Sequence, residues 1–398
     1  MRSWPKKFVR ACATSSLLAA CLGGTVTRAA AQTAPKPAIA LVDAADLAQW
    51  QTWTKDSGWL VIAPEAAPGA NIDADVQAVE SAVAAAIRNG SADPSRIYLA
   101  GRGDAASAVF YAVSRVADLF AAAVAIGGSP QPAIDTGRFF TANFSNVPIL
   151  WAAKASGEPP LVGRLKETGL DIEWRTELST TALLAWLASH VRAASPTAID
   201  CETNSPSFAS CYWIRLTTFD MAERNDVLPS SRVIPKLLAA LDLGGFGYRT
   251  DDAGPGVLVS YLPEKYNGKL KMGDRIVAIA GREVANARQY TEMMAQAKED
   301  ASVAVMVERN KQRIRIETAI RLPRQQPVAT ARVQAKFDAE IHEVQIVSRA
   351  VTEMRVSVPA AFVPAVLNWN GVPVDKLDAA GCRVLSIDKE LESAKPCP

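Results

Sequence analysis

The chemistry open to this chain is bounded first by its imidazoles. His190 and His342 are the only two histidines in 398 residues, so few general bases of the ordinary kind can be built. Neither stands at zinc-ligand spacing from a cysteine or from the other histidine. No metal site and no cofactor is expected. Cysteine points to oxidative chemistry instead. Cys201, Cys211, Cys382 and Cys397 form an even set without a C-x-x-C run, the usage of disulfides in an exported protein, and three pairings are open. One hydroxyl is worth weighing as a nucleophile, Ser107, four residues after Gly103 in Gly101-Arg102-Gly103-Asp104-Ala105-Ala106-Ser107. In a helix that begins at the glycines, Ser107 lies one turn in and faces packing rather than a pocket.

Composition narrows the partners. The chain is 49% hydrophobic and 21% charged, with 43 basic residues against 41 acidic ones and a net charge of +2, so it lacks the basic excess that nucleic-acid binding requires. Residues 1–31 have the build of a signal peptide: Arg2, Lys6, Lys7 and Arg10 precede a small, apolar stretch from Ala11 to Leu22 that is too short to span a bilayer. Ala29-Ala30-Ala31 suits cleavage of the A-x-A type. Leu18-Ala19-Ala20-Cys21 resembles the lipobox of bacterial lipoproteins, which makes Cys21 the candidate for a lipid anchor. Removing the leader takes away five basic residues and no acid, and leaves a slightly acidic chain. The expected location is the bacterial periplasm or the medium, with no transmembrane span.

The elements that must position these residues fall into two styles. After a short linker at 32–36, residues 37–195 alternate buried strands and helices, the pattern of a parallel α/β layer. Strands are expected at Ile39–Val42, Trp59–Ala63, Ile97–Ala100, Ala121–Ile126, Pro148–Ala152 and Leu170–Leu178. Helices are expected at Ala45–Lys55, Ala74–Arg88 and Thr181–Val191, the last containing His190. From about Cys211 the chain becomes strand-rich. Tyr212–Thr217 reads as a lone strand, Ala287–Ala297 as one strong helix, and Asn370-Gly371 as a hairpin turn.

The run Asp93-Pro94-Ser95-Arg96 followed by Gly101-Arg102-Gly103-Asp104-Ala105 resembles the nucleophile elbow of α/β-hydrolases, the esterase and depolymerase branch in particular. The resemblance covers residues 37–195 and implies that fold. It also implies a triad that this sequence does not spell. Gly103 stands where the serine belongs, and Asp104 adds a negative charge where an oxyanion would be held. Val42-Asp43-Ala44-Ala45 replaces the oxyanion loop. Glu158 is the one acid near the expected position, and no histidine follows Leu178 where the base should be.

A second resemblance is carried by Gly245-Phe246-Gly247-Tyr248 and Leu270-Lys271-Met272-Gly273-Asp274-Arg275-Ile276, which are similar to the carboxylate-binding loop and the following signature of PDZ domains. It covers residues 232–322, with Ala280 where those domains have Asn. Such a domain would take a peptide segment or C-terminus as an added strand beside Phe246 to Arg249. Its glycine N–H groups would cradle the carboxylate, and the last side chain would enter a pocket made with the helix from Ala287 and Tyr290.

The strands of 323–398 resemble a small β module appended to some esterase-like hydrolases. Residues 196–231 would hold its first part and a linker, so that the PDZ-like unit is an insertion. A disulfide from Cys201 or Cys211 to Cys382 or Cys397 would then staple the module across the insertion, while local pairs remain equally allowed. The functional expectation is an exported, non-catalytic binding protein on a silent hydrolase scaffold. The alternative is an active serine hydrolase, esterase or peptidase, that uses an unconventional nucleophile such as Ser107. A third reading is a polymer binder with Trp369 as its aromatic platform.

Overall fold

The computed structural model describes residues 34–65, 71–220, 227–234, 238–322, 328–388 and 391–398. The expected signal peptide and Cys21 lie outside the described residues, as do the start of the 32–36 linker and the break at 323–327.

Six parallel strands form the first sheet: β1 (Lys36–Leu41), β2 (Leu60–Ile62), β3 (Ala92–Arg102), β4 (Ala122–Ile126), β5 (Ile149–Ala152) and β6 (Ile172–Arg175), in the order β2-β1-β3-β4-β5-β6. Helices alternate with them: α1 (Leu47–Thr54), α2 (Ile72–Arg88), α3 (Ala105–Val116), α4 (Gln131–Asp135), α5 (Pro160–Glu167) and α6 (Thr180–Ala188). The two-residue period of the strands sorts the layers. Ala38, Ala40, Ile97 and Leu99 pack against Val76 and Val83 of α2 and Phe110 of α3. Ile39, Leu41, Tyr98 and Val124 face the other way, onto Trp50 of α1 and Leu183 and Leu187 of α6. Asn71 caps α2 by accepting from the Ala74 N–H at 3.0 Å, and Asp73, Asp75 and Arg88 suit its dipole.

The closing helix differs from expectation. It ends at Ala188, so His190 is not a helical residue. Its Nδ1 lies 2.8 Å from the Trp186 carbonyl and its ring is 4.4 Å from the Trp186 ring.

The next strands are β7 (Ala198–Thr203), β8 (Ser210–Cys211) and β9 (Ile214–Phe219). Tyr212 is not the start of a lone strand: with φ of 54° it belongs to the turn of the β8–β9 hairpin. A separate antiparallel sheet follows, made of β10 (Ala240–Leu241), β11 (Gly247–Tyr248), β12 (Val257–Tyr261), β13 (Arg275–Ile279), β14 (Arg282–Glu283), β15 (Asp300–Arg309) and β16 (Gln312–Arg321), with helix α7 (Ala287–Gln296) and a core of its own.

The remaining strands are β17 (Ala331–Asp338), β18 (Glu343–Arg349), β19 (Val351–Val358), β20 (Ala365–Trp369), β21 (Val372–Leu377), β22 (Gly381–Asp388) and β23 (Leu391–Pro396). They complete two sheets, β21-β20-β18-β17-β7 and β23-β22-β19-β9-β8, over one shared core. Strands on both sides of 240–321 therefore pair with each other. The Asn370-Gly371 turn forms as expected, with φ of 49° and 88°.

One open choice is resolved and one expectation is corrected. The disulfides are local, Cys201–Cys211 and Cys382–Cys397, so neither spans the intervening unit. Trp369 is fully buried and donates its indole N–H to Ser348 Oγ at 2.8 Å, which removes it as a platform. His342 lies in the turn before β18, with φ of 51°.

A buried polar joint fixes the segment that leads into the 240–321 sheet. The Glu202 carboxylate accepts from Ser230 Oγ at 2.6 Å, from Ser231 N–H at 2.6 Å, from Ser231 Oγ at 2.7 Å, from Arg349 at 2.9 Å and from Thr330 Oγ1. Arg332 binds Asp200 through two nitrogens, at 2.9 and 2.6 Å, and reaches the Pro229 carbonyl at 2.6 Å. On the other side, Thr141 donates its N–H and its hydroxyl to the Ser231 carbonyl. The polar stretch around Ser230 thus has a structural task that its sequence does not disclose.

Candidate functional site

Two places were singled out by sequence, the turn after β3 and the edge of β11. At the first, β3 ends in Gly101-Arg102 and α3 begins at Ala105. Gly103 bridges them with φ of +59°, its N–H donating to the Ile126 carbonyl at 2.8 Å. A Cβ built on Gly103 would meet nothing within 4 Å, so a side chain there would stand in open space. Gly101 is different. A Cβ there would lie 2.6 Å from Val42 Cγ2, 2.7 Å from the Ala105 carbonyl oxygen and 2.9 Å from Val109 Cγ2.

Asp46, which sequence reasoning passed over, holds the turn from the opposite side. Its Oδ2 accepts the Arg102 N–H at 3.0 Å, and its Oδ1 is 3.6 Å from the Arg102 guanidinium. Burial raises the Asp46 pKa, and the nearby Arg102 only partly offsets this.

The turn opens into a cleft of about 940 Å³ at the carboxyl ends of β3 to β6, where ligands of open α/β sheets gather. Trp53, Arg102, Gly103, Lys154, Glu177 and Ser179 are among its walls. Arg102 lies over the Trp53 ring, 5.1 Å from its centroid. The Ser179 hydroxyl oxygen caps α6, accepting from the Ala182 N–H at 3.2 Å. No histidine or cysteine lines the cleft among the described residues.

The other proposed members stand elsewhere. Asp104 is exposed and makes no side-chain cap to α3. Ser107 is buried on α3 outside the cleft walls. Glu158 pairs with Lys166 at 3.5 Å. His190 is packed on Trp186, as described above. None of Asp104, Ser107, Glu158 and His190 lines the cleft, whose polar walls are Arg102, Lys154, Thr176, Glu177, Ser179 and Thr180.

At the second place, β11 is the last strand of its sheet and pairs only with β12, through Gly247↔Tyr261 and Tyr248↔Val259. Arg249 continues that side, donating its N–H to the Leu258 carbonyl at 3.2 Å, while its side chain pairs with Asp251 at 2.7 Å. The other edge of β11 is free of strand pairing among the described residues.

Helix α7 lies beside β11. Tyr248 reaches toward it, with its ring 5.3 Å from Tyr290 and its hydroxyl 3.4 Å from Thr291 Oγ1, and Phe246 lies 6.3 Å from Tyr248. Ala287 and Tyr290 are buried under this contact, and burial raises the Tyr290 pKa. Asn286 caps the helix by accepting from Gln289 N–H at 3.0 Å, and Gln289 returns a bond to Ala285 N–H at 2.6 Å, a reciprocal cap.

The loop before β11 turns at one glycine. The left-handed residue is Gly244, with φ of +79°, and neither Gly245 nor Gly247. A Cβ on Gly244 would strike the Tyr266 ring at 2.7 Å. Tyr266, unforeseen from sequence, props the loop: its hydroxyl donates to the Leu243 carbonyl and accepts from Leu270 N–H at 3.1 Å. Among the described residues no backbone carbonyl accepts from the N–H groups of Gly244, Gly245 or Phe246. Asp274 anchors the following turn through Lys271 N–H at 2.7 Å and two Arg309 nitrogens at 2.8 Å. Burial alone would raise its pKa, but these hydrogen bonds hold it below the usual value.

No helix among the described residues is long and apolar enough to cross a membrane, and no group of three or more metal-ligating side chains is found among them. No protein-family model matches the chain, and no curated protein matches it. Among solved structures, it is similar to a thermostable esterase (16% identity, TM-score 0.29, over 40% of this chain and 56% of that one). It is also similar to an esterase of Rhizomucor miehei (10% identity, TM-score 0.33, over 40% and 77%). A third similarity is to the HtrA-type protease AlgW with decapeptide (20% identity, TM-score 0.19, over 23% and 31%). The chain thus spans just over half of the thermostable esterase and about a third of the HtrA-type protease.

Proposed function

We propose that this protein is an exported, non-catalytic binding protein. In this reading residues 232–322 are a PDZ-like domain that captures peptide segments or C-termini, carried on an α/β-hydrolase-like domain, 37–195, that has lost its triad. The observation that carries the reading is the unpaired edge of β11 facing α7, beside a loop whose Gly244, Gly245 and Phe246 N–H groups have no backbone acceptor among the described residues. A peptide joining that edge would gain strand hydrogen bonds, and its carboxylate would find the loop N–H groups. Tyr248 leans across to Thr291 and Tyr290, so the terminal side chain must be small or must displace the Tyr248 ring. The silence of the first domain is supported by Gly103, which has room for a nucleophile and carries none. Export rests on the leader at 1–31 and agrees with the two disulfides.

A C-terminal peptide array tests the binding reading. Hits are expected with the full chain and are expected to vanish in Gly245→Val and Gly247→Val. A Cβ at position 245 meets only Pro263 Cγ at 3.8 Å, and one at 247 meets the side chain of exposed Tyr261 at 3.0 Å, so both variants should fold. Equal binding by the variants, or no hits at all, would refute it. Labelling by a fluorophosphonate that disappears in Ser107→Ala would instead establish a serine hydrolase.

A further inference from the structure

Two turns meet at one end of the 240–321 sheet. One joins β15 to β16 through Asn310 and Lys311, both left-handed with φ of 50° and 66°. The other, residues 270–274, leads into β13 and is left-handed at Gly273, with φ of 84°. Arg309 fastens them together: two of its nitrogens reach the Asp274 carboxylate at 2.8 Å, and one of these also reaches the Lys269 carbonyl at 2.9 Å.

Positive charge gathers on this end. Residues 262–275 and 305–317 hold eight basic residues against four acidic ones, although the whole chain is close to balance at +2. Three of the four acids are engaged. Buried Asp274 holds Arg309, Glu317 pairs with Arg315 at 2.7 Å, and Glu308 stands opposite both Arg275 and Arg313 in the register of the sheet. Arg275 has Asp252 as well, at 2.7 Å. Lys265, Lys269, Lys271 and Lys311 are exposed and form no ion pair among the described residues, and Glu264 is the remaining acid of the two segments. Met272 stands among these lysines, next to Lys271, and is 61% exposed. The core does not account for it, since Leu270, two residues earlier, is the side chain of this turn that enters the core.

We propose that this end of the 240–321 sheet docks on the surface of an anionic phospholipid bilayer, with Lys269, Lys271 and Lys311 over the phosphates and Met272 entering the boundary of the acyl chains. Charge complementarity selects an anionic partner, because lysines held near such a surface are drawn to it and gain with each one added. Met272 selects a bilayer over an acidic protein. An apolar side chain on a tight turn between cations gains from a fluid headgroup boundary without a shaped pocket to receive it. The proposal does not rest on peptide capture at β11, which is three strands away from β15.

The test is sedimentation of the chain without its leader, residues 32–398, with vesicles of phosphatidylcholine alone and of phosphatidylcholine mixed with phosphatidylglycerol. Binding to the anionic vesicles should be about tenfold stronger or more, and should vanish in about 1 M salt, where the Debye length falls to about 3 Å. The double variant Lys271→Glu with Lys311→Glu should lose more than about tenfold, since each lysine at such a surface is worth about fivefold. Both side chains are exposed, so this variant should fold. Met272→Ser should weaken vesicle binding about threefold to tenfold and leave retention on a cation-exchange resin unchanged. No binding to the anionic vesicles, equal binding to both kinds, or undiminished binding by either variant would overturn the proposal. Tighter binding to poly-glutamate than to the vesicles would also overturn it, and would assign the surface to an acidic protein.

Discussion

The turn after β3 and the loop before β11 are built alike and differ in what they can still do. In each, a glycine demanded by packing stands beside one that is not. Gly101 is fixed by Val42, Ala105 and Val109, while Gly103 faces open space. Gly244 is fixed by Tyr266, while Gly245 has only Pro263 in ordinary contact. Hydrolysis at the turn would need an oxygen on the free glycine. Peptide capture at the loop would need only backbone N–H groups, which glycine supplies. In the function proposed above, the same substitution of a side chain by hydrogen would silence one place and leave the other able to bind.

The largest expected effect comes from breaking what joins the two regions. Glu202→Gln leaves Arg349 buried without its counter-charge and weakens four further bonds, and is expected to cost about 3–5 kcal/mol in chemical denaturation. Burial pushes the Glu202 pKa up, but the hydroxyl and N–H donors of Ser230, Thr330 and Ser231 outweigh it and hold the value below the ordinary 4.5. A depressed pKa stabilises the fold above pH 4.5, and that contribution fades as pH falls through the folded value. The wild type should lose stability in that acid range, and Glu202→Gln should show a shallower acid loss. An unchanged acid slope would mean that the joint does not couple the regions as drawn.

Much of this contrast was legible in sequence, and its limits are physical. Local periodicity revealed the parallel strands and α2, because a strand buried on both faces is apolar throughout. The glycine turn was visible from its spacing. β7 was not, since Asp200 and Glu202 interrupt its apolar pattern, and their partners Arg332 and Arg349 lie 132 and 147 residues away. Nothing local marks Ser230 and Ser231 as donors to Glu202, or Tyr266 as the prop of Gly244. Trp369 looked like a platform because a tryptophan beside a hairpin turn is as often core as surface. The disulfide pairing needed the fold, since four cysteines alone allow three answers.

A smaller effect sharpens the comparison inside the turn itself. Gly101→Ala forces a methyl within 3 Å of one backbone oxygen and two valine methyls, and should cost about 1–3 kcal/mol as overpacking does. Gly103→Ser meets no atom and bears only the left-handed backbone at φ of +59°, about 1–2 kcal/mol. Differential scanning calorimetry should rank Gly101→Ala at or below Gly103→Ser. The serine variant should fold yet take no fluorophosphonate label, because no histidine lines the cleft among the described residues. Labelling of Gly103→Ser would show that a base had been kept and that the cleft is one residue from activity.

The smallest effect concerns the other region. Ala280 holds φ of +50° in the β13–β14 turn, next to Gly281 at +75°. Alanine has no side-chain oxygen to support a left-handed backbone, and its Cβ crowds the following carbonyl. Ala280→Gly should therefore stabilise the chain by about 1 kcal/mol, reduced by the added freedom of glycine in the unfolded state. Ala280→Asn should gain a comparable amount without that entropic cost, since asparagine tolerates this conformation best among side chains with a Cβ. Because the turn lies on β13, two strands from the free edge of β11, neither variant should alter peptide capture. A gain in stability accompanied by a change in peptide affinity would show that the groove is tuned by strain at this turn, and that capture does not rest on the loop backbone alone.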